Sequence, residues 1–219
     1  LKSKGNLISF LDSDDFWDKK KLLRMNEIFN TFNYDVCCHK EIKIDMNGIK
    51  HKNQKNFIKS DNLYYDLLMF GNSLSTSAVT IKKDFLKKYN LFFDENENYI
   101  SAEDYDLWLE LSKNNANFFF ANEYLGFYQY YEKSISNSNL DNHLLKVKNV
   151  LSSHLSMIND KKVINLTKAR IKLSELKLIL KRKKIKKFLF LIKEINFNNF
   201  FYIFLFILLK LKKNNVDNR

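Results

Sequence analysis

The segment Asn6-Leu-Ile-Ser-Phe-Leu11 is a short, nearly continuous apolar run that ends abruptly at Asp12-Ser-Asp-Asp15. A run of that length and character is the pattern of a strand buried on both faces of a mostly parallel sheet. Such a sheet needs helices on its faces, and helical periodicity follows at once. From Asp18 to Phe32 the apolar positions Leu22, Leu23, Met25, Ile28, Phe29 and Phe32 recur at helical spacing behind an Asp-rich start. The first unit therefore reads as strand, acidic loop, helix.

The same alternation continues. Tyr34 to His39 reads as a strand, and Ile42 to Lys50 as a hairpin turning at Asn47-Gly48. Helices are expected from Ser60 to Phe70, Lys82 to Tyr89 and Ser101 to Lys113. Strands are expected at Ala78-Ile81, Phe118-Ala121 and Leu125-Tyr131. This is an α/β layered domain over residues 1–136. Beyond the polar break Ser134 to Asn139 the strand signals stop, and residues 137–219 read as a helical extension, roughly Asp141 to Ile158 and Val163 to Ile195. The final apolar block, Phe200 to Leu209, is ten residues long, about half of what a spanning helix requires.

With 219 residues, 45% of them hydrophobic, the chain holds one substantial core and is too apolar to be disordered. The formal charge of +12 suggests nucleic acid until its location is considered. Residues 1–160 carry 20 Lys+Arg against 22 Asp+Glu, whereas residues 161–219 carry 17 against 3. The body is nearly neutral and the tail strongly basic. Aromatic residues follow the basic run Lys181-Arg-Lys-Lys-Ile-Lys-Lys187 instead of interleaving with it, which disfavours base stacking, so no nucleic-acid partner is expected. Lysines beside a ten-residue aromatic and aliphatic block suit either an anionic membrane surface, reached through residues 181–213, or a helix packed on protein. The two cysteines, Cys37 and Cys38, are adjacent in a strand and point to opposite faces, which excludes a disulfide framework and suits a reducing cytoplasm.

Two carboxylates at i and i+2 just after a strand project from the carboxyl edge of the sheet, where open α/β folds bind ligands. Asp12 and Asp14 there suit Mg²⁺ or Mn²⁺, which takes one or two protein carboxylates plus phosphate oxygens and water. The plainer alternative is that Asp14, Asp15 and Asp18 cap and charge the following helix, an effect of up to about 1 kcal/mol each. A second acidic pair, Glu103-Asp104, opens the stretch Ser101-Ala-Glu-Asp-Tyr-Asp-Leu-Trp-Leu-Glu-Leu111. Its plain alternative is a capping box from Ser101 to Asp104.

The stretch Lys4-Gly-Asn-Leu-Ile-Ser-Phe-Leu-Asp-Ser-Asp-Asp-Phe-Trp-Asp18, with Lys21-Leu22 beyond it, resembles the D-x-D segment of family-2 glycosyltransferases. Glu103-Asp-x-Asp-Leu-Trp-Leu109 resembles the E-D motif of the same family. The resemblance implies a GT-A fold, a Rossmann-related mixed sheet flanked by helices, and an inverting transfer from a nucleotide-diphospho-sugar. It implies Asp12 against the nucleoside, Asp14 on a Mn²⁺ or Mg²⁺ bound to the diphosphate, and Asp15 supporting the loop. Asp104 would be the general base, with Glu103 orienting it or touching the acceptor, and Trp17 packing. Asn72 to Lys83 is similar to the acceptor-side segment, with Thr76 and Ser77 as the candidate sugar contacts; Asp94 reads as structural.

Two departures qualify the resemblance. The family's closing segment has Arg and His where this chain has Gln129 and Tyr131, leaving Lys133 as the nearby cation. The resemblance also starts at the D-x-D strand, so it implies a nucleotide-binding N-terminal portion carried upstream or on a separate chain, and weak or no catalysis by these residues alone. The functional expectation is a transferase of surface-glycan synthesis, acting on a saccharide or lipid-linked saccharide acceptor from the cytoplasmic face of the membrane. Its rival is a catalytically silent relative that only binds a membrane surface or a partner.

Overall fold

The computed structural model describes residues 3–52, 62–130, 139–183 and 197–216. They form the expected α/β architecture, a mixed sheet flanked by helices. In chain order the elements are β1 (Leu7–Ser9), β2 (Phe16–Trp17), α1 (Lys21–Thr31), β3 (Val36–Ile44), β4 (Lys50–Lys52) and α2 (Leu63–Phe70). A 3₁₀ turn at Thr76–Ala78 leads into β5 (Val79–Lys82), α3 (Lys83–Lys88), α4 (Glu103–Lys113) and β6 (Phe118–Gln129). The helices α5 (Leu140–Leu155), α6 (Lys161–Lys181) and α7 (Phe197–Val216) complete the described chain.

The strand order is β1-β5-β3-β6-β2, with β4 pairing β3. Among the described strands only the β3 and β6 pair runs parallel; β1 and β3 each run antiparallel to β5. The expectation that β1 is a fully buried strand of a mostly parallel sheet is therefore corrected. β1 has three residues, ends the described order, and buries Ile8 while Leu7 and Ser9 are half-buried. Its polar anchor is the Ser9 hydroxyl, 2.8 Å from that of Thr80 on β5.

This topology determines what meets at one edge. Because β1, β3 and β6 share a direction and β5 opposes them, the carboxyl ends of the first three lie beside the amino end of β5. The acidic loop after β1, the 3₁₀ turn before β5 and the end of β6 are brought together without any long connection.

The separate strands expected at Phe118-Ala121 and Leu125-Tyr131 are one strand. β6 is continuous because its register against β3 shifts twice, between His39 and Lys40 and between Lys40 and Glu41. Asn122 and Glu123 fall in the first shift, and the Glu123 carboxylate accepts from Arg24 Nε of α1 at 2.8 Å. A bulge of this kind absorbs the polar pair that had suggested a break. The hairpin at Asn47-Gly48 forms as expected, with Gly48 at φ 75° and its amide bonded to the Asp45 carbonyl.

Cys37 and Cys38 are both buried, on opposite faces of β3. Cys37 packs with Met25, Ile28 and Phe29 of α1, whereas Cys38 joins the main core. In α1 the stripe is narrower than expected: Leu22, Leu23 and Phe32 are exposed, and Lys21 occupies the buried position one turn before Met25. The main core is built around α4, whose Leu107, Trp108, Leu109 and Leu111 are buried against β5, α2 and Val150 and Leu151 of α5. Among the described residues no helix is long and apolar enough to cross a membrane.

Trp108 is completely buried. Trp108→Ala is expected to cost about 3–5 kcal/mol of unfolding free energy, read from chemical denaturation.

Candidate active site

The 3₁₀ turn is where the two acidic motifs meet. Thr76 Oγ1 donates to Asp104 Oδ2 at 3.3 Å, and the neighbouring Ser77 Oγ accepts the backbone N–H of Asp12 at 3.0 Å. One dipeptide thus holds the loop of the first motif and the carboxylate of the second.

The acidic loop is shaped by a turn closed from Asp15 N to Asp12 O, 3.1 Å. Asp12 and Asp14 are exposed; Asp15 is buried, and its Oδ1 accepts the backbone N–H of Gln129 at the end of β6, 3.0 Å. Burial raises the Asp15 pKa, and hydrogen bonds from Ser77 and Gln129 oppose the rise. Neither Asp14 nor Asp15 caps α1: that helix begins after Lys20, has no side-chain cap and carries no acid in its first turn. Asp18 alone behaves as the helix-start reading expected, accepting from Lys20 N at 2.9 Å.

The capping box at Ser101 is also absent. Ser101 lies at φ 76°, outside the extended region an N-cap requires, so Ala102 takes the cap position with no side-chain bond. The Ser101 hydroxyl instead approaches His143 of α5 at 3.3 Å. Asp104 is thereby released from capping Ser101. Its Oδ1 accepts its neighbour's amide, Tyr105 N, at 2.6 Å, and its Oδ2 accepts from Thr76 and from Asn72 Nδ2, 3.1 Å. Burial is the main cause of its raised pKa, with the charge of Glu103 adding to it. Glu103 Oε2 is buried with no hydrogen-bond partner among the described residues.

The Asp12 carboxyl registers the convergence. Although the residue as a whole is exposed, its pKa is raised to about 6, first by partial desolvation of the carboxyl in the loop, then by the charges of Asp15, Asp104, Asp14 and Glu103. Motifs ninety residues apart in sequence therefore form one field of negative charge. Hard oxygen donors in a field of one sign fit a divalent cation such as Mg²⁺ or Mn²⁺. Among the described residues no three His, Cys, Asp or Glu side chains gather into a complete metal cage. Asp12 and Asp14 would supply one or two ligands and leave the remaining positions to phosphate oxygens and water.

Three contributors were not legible as site residues. Lys21 is fully buried beneath the turn; its Nζ donates to Ser77 O at 2.8 Å and sits 3.9 Å from the centroid of the Trp17 ring. Trp17 Nε1 donates to the same carbonyl at 2.8 Å, so Trp17 packs as expected but also pins the turn. Burial lowers the Lys21 pKa to about 7, against the opposing charge of Glu41. In the sequence it stood out only as the Lys21-Leu22 pair beside the D-x-D segment and as a lysine in register with Met25 and Ile28 on the apolar face of α1. Asn72, the second partner of Asp104, carries no periodic signal at all. Tyr128, on β6 beside the acidic loop, has its pKa raised by burial and by Asp15 and Asp14. The expected closing residues Tyr131 and Lys133 lie outside the described residues.

Behind Asp104, α6 contributes Arg170. Its Nη2 donates to Leu68 O at the end of α2 and to the Tyr105 hydroxyl, each at 3.2 Å, while that hydroxyl donates to Leu67 O at 2.6 Å. Leu68 O, one of the last carbonyls of α2, is thus satisfied by Arg170, while Leu67 O accepts from both the Tyr105 hydroxyl and the Gly71 amide, the latter at 2.9 Å. Gly71 follows at φ 97°, where an added Cβ would stand 3.0 Å from Arg170 Nη1, and the chain turns into Asn72.

No protein-family model matches the chain. Over 118 residues it is 29% identical to the UDP-Glc:alpha-D-GlcNAc-diphosphoundecaprenol beta-1,3-glucosyltransferase WfgD of Escherichia coli. The chain is thus similar to a glycosyltransferase over about half its length. The resemblance to family 2 drawn from the two motifs is borne out by that match, which covers 51% of this chain and about two fifths (40%) of the length of the curated relative. Among solved structures, that of S. aureus TarS (residues 1–349) aligns with a TM-score of 0.46 at 18% identity, covering 85% of this chain and 65% of that one.

The raised Asp12 pKa carries a stability consequence. The folded state holds the Asp12 proton more tightly than the ordinary 3.8 would, so the ionised form is penalised above about pH 6 and the penalty fades as pH falls towards 3.8. Asp12→Asn, with a chelator present, is expected to raise the melting temperature at pH 7.5 and leave it unchanged near pH 4, measured by calorimetry.

Proposed function

We propose that this chain carries the base and the metal-side loop of an inverting, GT-A-type glycosyltransferase that uses a nucleotide-diphospho-sugar. The observation that supports it most is the convergence of Asp12 and Asp14 with Glu103 and Asp104 across the Thr76-Ser77 turn. Displacing a nucleotide from the opposite face of an anomeric carbon needs a base on the acceptor side and charge neutralisation on the leaving-group side. The two carboxylate groups are arranged for that division.

In this reading Asp104 accepts the proton of the acceptor hydroxyl as its oxygen bonds to the anomeric carbon. The bond from that carbon to the diphosphate breaks, its electron pair leaves with the nucleotide, and the sugar inverts. Burial, by raising the Asp104 pKa, makes its carboxylate a better proton acceptor than an exposed aspartate. Asn72 and Thr76 hold Oδ2, so Oδ1, bonded to its neighbour's amide, stays oriented by α4. Glu103, whose buried Oε2 has no hydrogen-bond partner among the described residues, is read as orienting Asp104 or touching the acceptor. A divalent cation held by Asp12 and Asp14 would neutralise the departing diphosphate. Thr76 and Ser77 act by holding Asp104 and the Asp12 amide, and half-buried Thr76, rather than buried Ser77, is read as the sugar contact.

The acceptor is read as a saccharide or lipid-linked saccharide of a surface glycan. The name of the E. coli relative supports the lipid-linked form, since it specifies a sugar on diphosphoundecaprenol. Such an acceptor would place the enzyme at the cytoplasmic face of a membrane.

The two carboxylate groups are separable by experiment. Asp14→Asn is expected to abolish Mn²⁺-dependent binding of a nucleoside diphosphate in titration calorimetry. Asp104→Asn should preserve that binding and lower sugar transfer by about 10²- to 10⁴-fold. Unchanged Mn²⁺-dependent binding in Asp14→Asn would sink the assignment.

A further inference from the structure

Helix α7 is apolar on all sides, and the fold uses only one of them. Ile203 and Phe206 are buried against Leu166 and Ala169 of α6, and the Phe206 ring lies 6.1 Å from that of Phe70 on α2. At about 100° per residue, Phe200, Phe201, Phe204, Ile207, Leu208 and Leu211 share an arc of roughly 120° on the side away from α6. All six are exposed, from 39% at Ile207 to 62% at Phe200. A helix apolar all round belongs in a core or at a lipid boundary, and a continuous patch of this kind marks a binding surface.

Charge selects the occupant. From Phe197 to Val216 there is no acidic residue, and Lys210, Lys212 and Lys213 close the helix. On α6, Lys162 and Lys177 stand one turn from Leu166 and Leu173, on the side that packs with α7, and both are exposed. Two copies of this face would bring like charges together, whereas an anionic lipid surface meets both the lysines and the aromatic side chains. Crossing the bilayer is excluded for this helix as described, because its apolar block is half the needed length and its inner face is held by α6.

We infer that α7 is an in-plane membrane-docking helix, its Phe200, Phe204, Leu208 and Leu211 face set into the interface of an anionic bilayer while Ile203 and Phe206 stay docked on α6. The inference stands apart from the reading of the active site, and its test needs no sugar nucleotide. It gives the base a fixed relation to the bilayer. Phe206 on the inner face of α7 stacks on Phe70 at the end of α2, and two residues later Asn72 holds Asp104.

The full chain is sedimented with vesicles of phosphatidylcholine alone or mixed with phosphatidylglycerol. Binding is expected to the mixed vesicles, to weaken at least tenfold in the Phe200→Ser/Phe204→Ser double variant, and to decline with salt. Both substituted side chains are exposed, so the double variant should keep the parent's melting temperature. As a second measure, the Phe204→Trp variant should show a blue-shifted emission when mixed vesicles are added. Absence of parental binding, equal binding by the double variant, or an unshifted emission from Phe204→Trp overturns the inference. So does a parental dimer that the double substitution dissociates without changing vesicle binding, which would assign the face to a second copy.

Discussion

The site depends on a single short turn. Thr76 and Ser77 stand at the mouth of β5, one side chain reaching the carboxylate of Asp104 and the other the amide of Asp12. The relative position of the two acidic segments is transmitted through these adjacent residues and the strand behind them. The turn is in turn anchored from below, where the indole of Trp17 and the ammonium of Lys21 converge on the Ser77 carbonyl. A buried lysine is an expensive anchor, since burial alone pulls its pKa down to about 7. Its retention at that point shows how tightly the carbonyl is held.

The helical extension is continuous with the site as well. Val150, Leu151 and Val163 enter the main core, and Arg170 secures both the end of α2 and the phenol beside Asp104. The residues after the sheet therefore support the Asp104 helix from behind, and the loop from Gly71 to Thr76 is clamped at both ends.

Much of this was legible because the two motifs obey local rules. An apolar strand ending in carboxylates and an acidic pair opening an amphipathic helix can each be read from a dozen residues. What could not be read locally was whether those carboxylates cap helices. The structure decides this through backbone geometry: Ser101 is in the left-handed region, and α1 begins too late for Asp14 or Asp15 to reach it. Strand direction was misread at β1 because burial on both faces and burial beside an antiparallel neighbour leave the same apolar run. β6 was split because a bulge looks like a loop when only polarity is visible. Asn72 and Lys21 were missed for opposite reasons. A loop asparagine has no periodicity, and a lysine within an apolar stripe is normally read as a solvated edge.

The placement of α4 carries a further implication. The helix bearing Asp104 on its first turn has four of its next residues, Leu107, Trp108, Leu109 and Leu111, at the centre of the main core. The Asp104 carboxylate is therefore mounted on a helix fixed in the core, while its side-chain partners Asn72 and Thr76 lie on the segment before β5. A change at either of those residues would reset the orientation of the carboxylate while leaving the helix that carries it in place. The backbone that positions Asp104 and the side chains that orient its oxygens thus belong to separate parts of the chain, and either can be perturbed without the other.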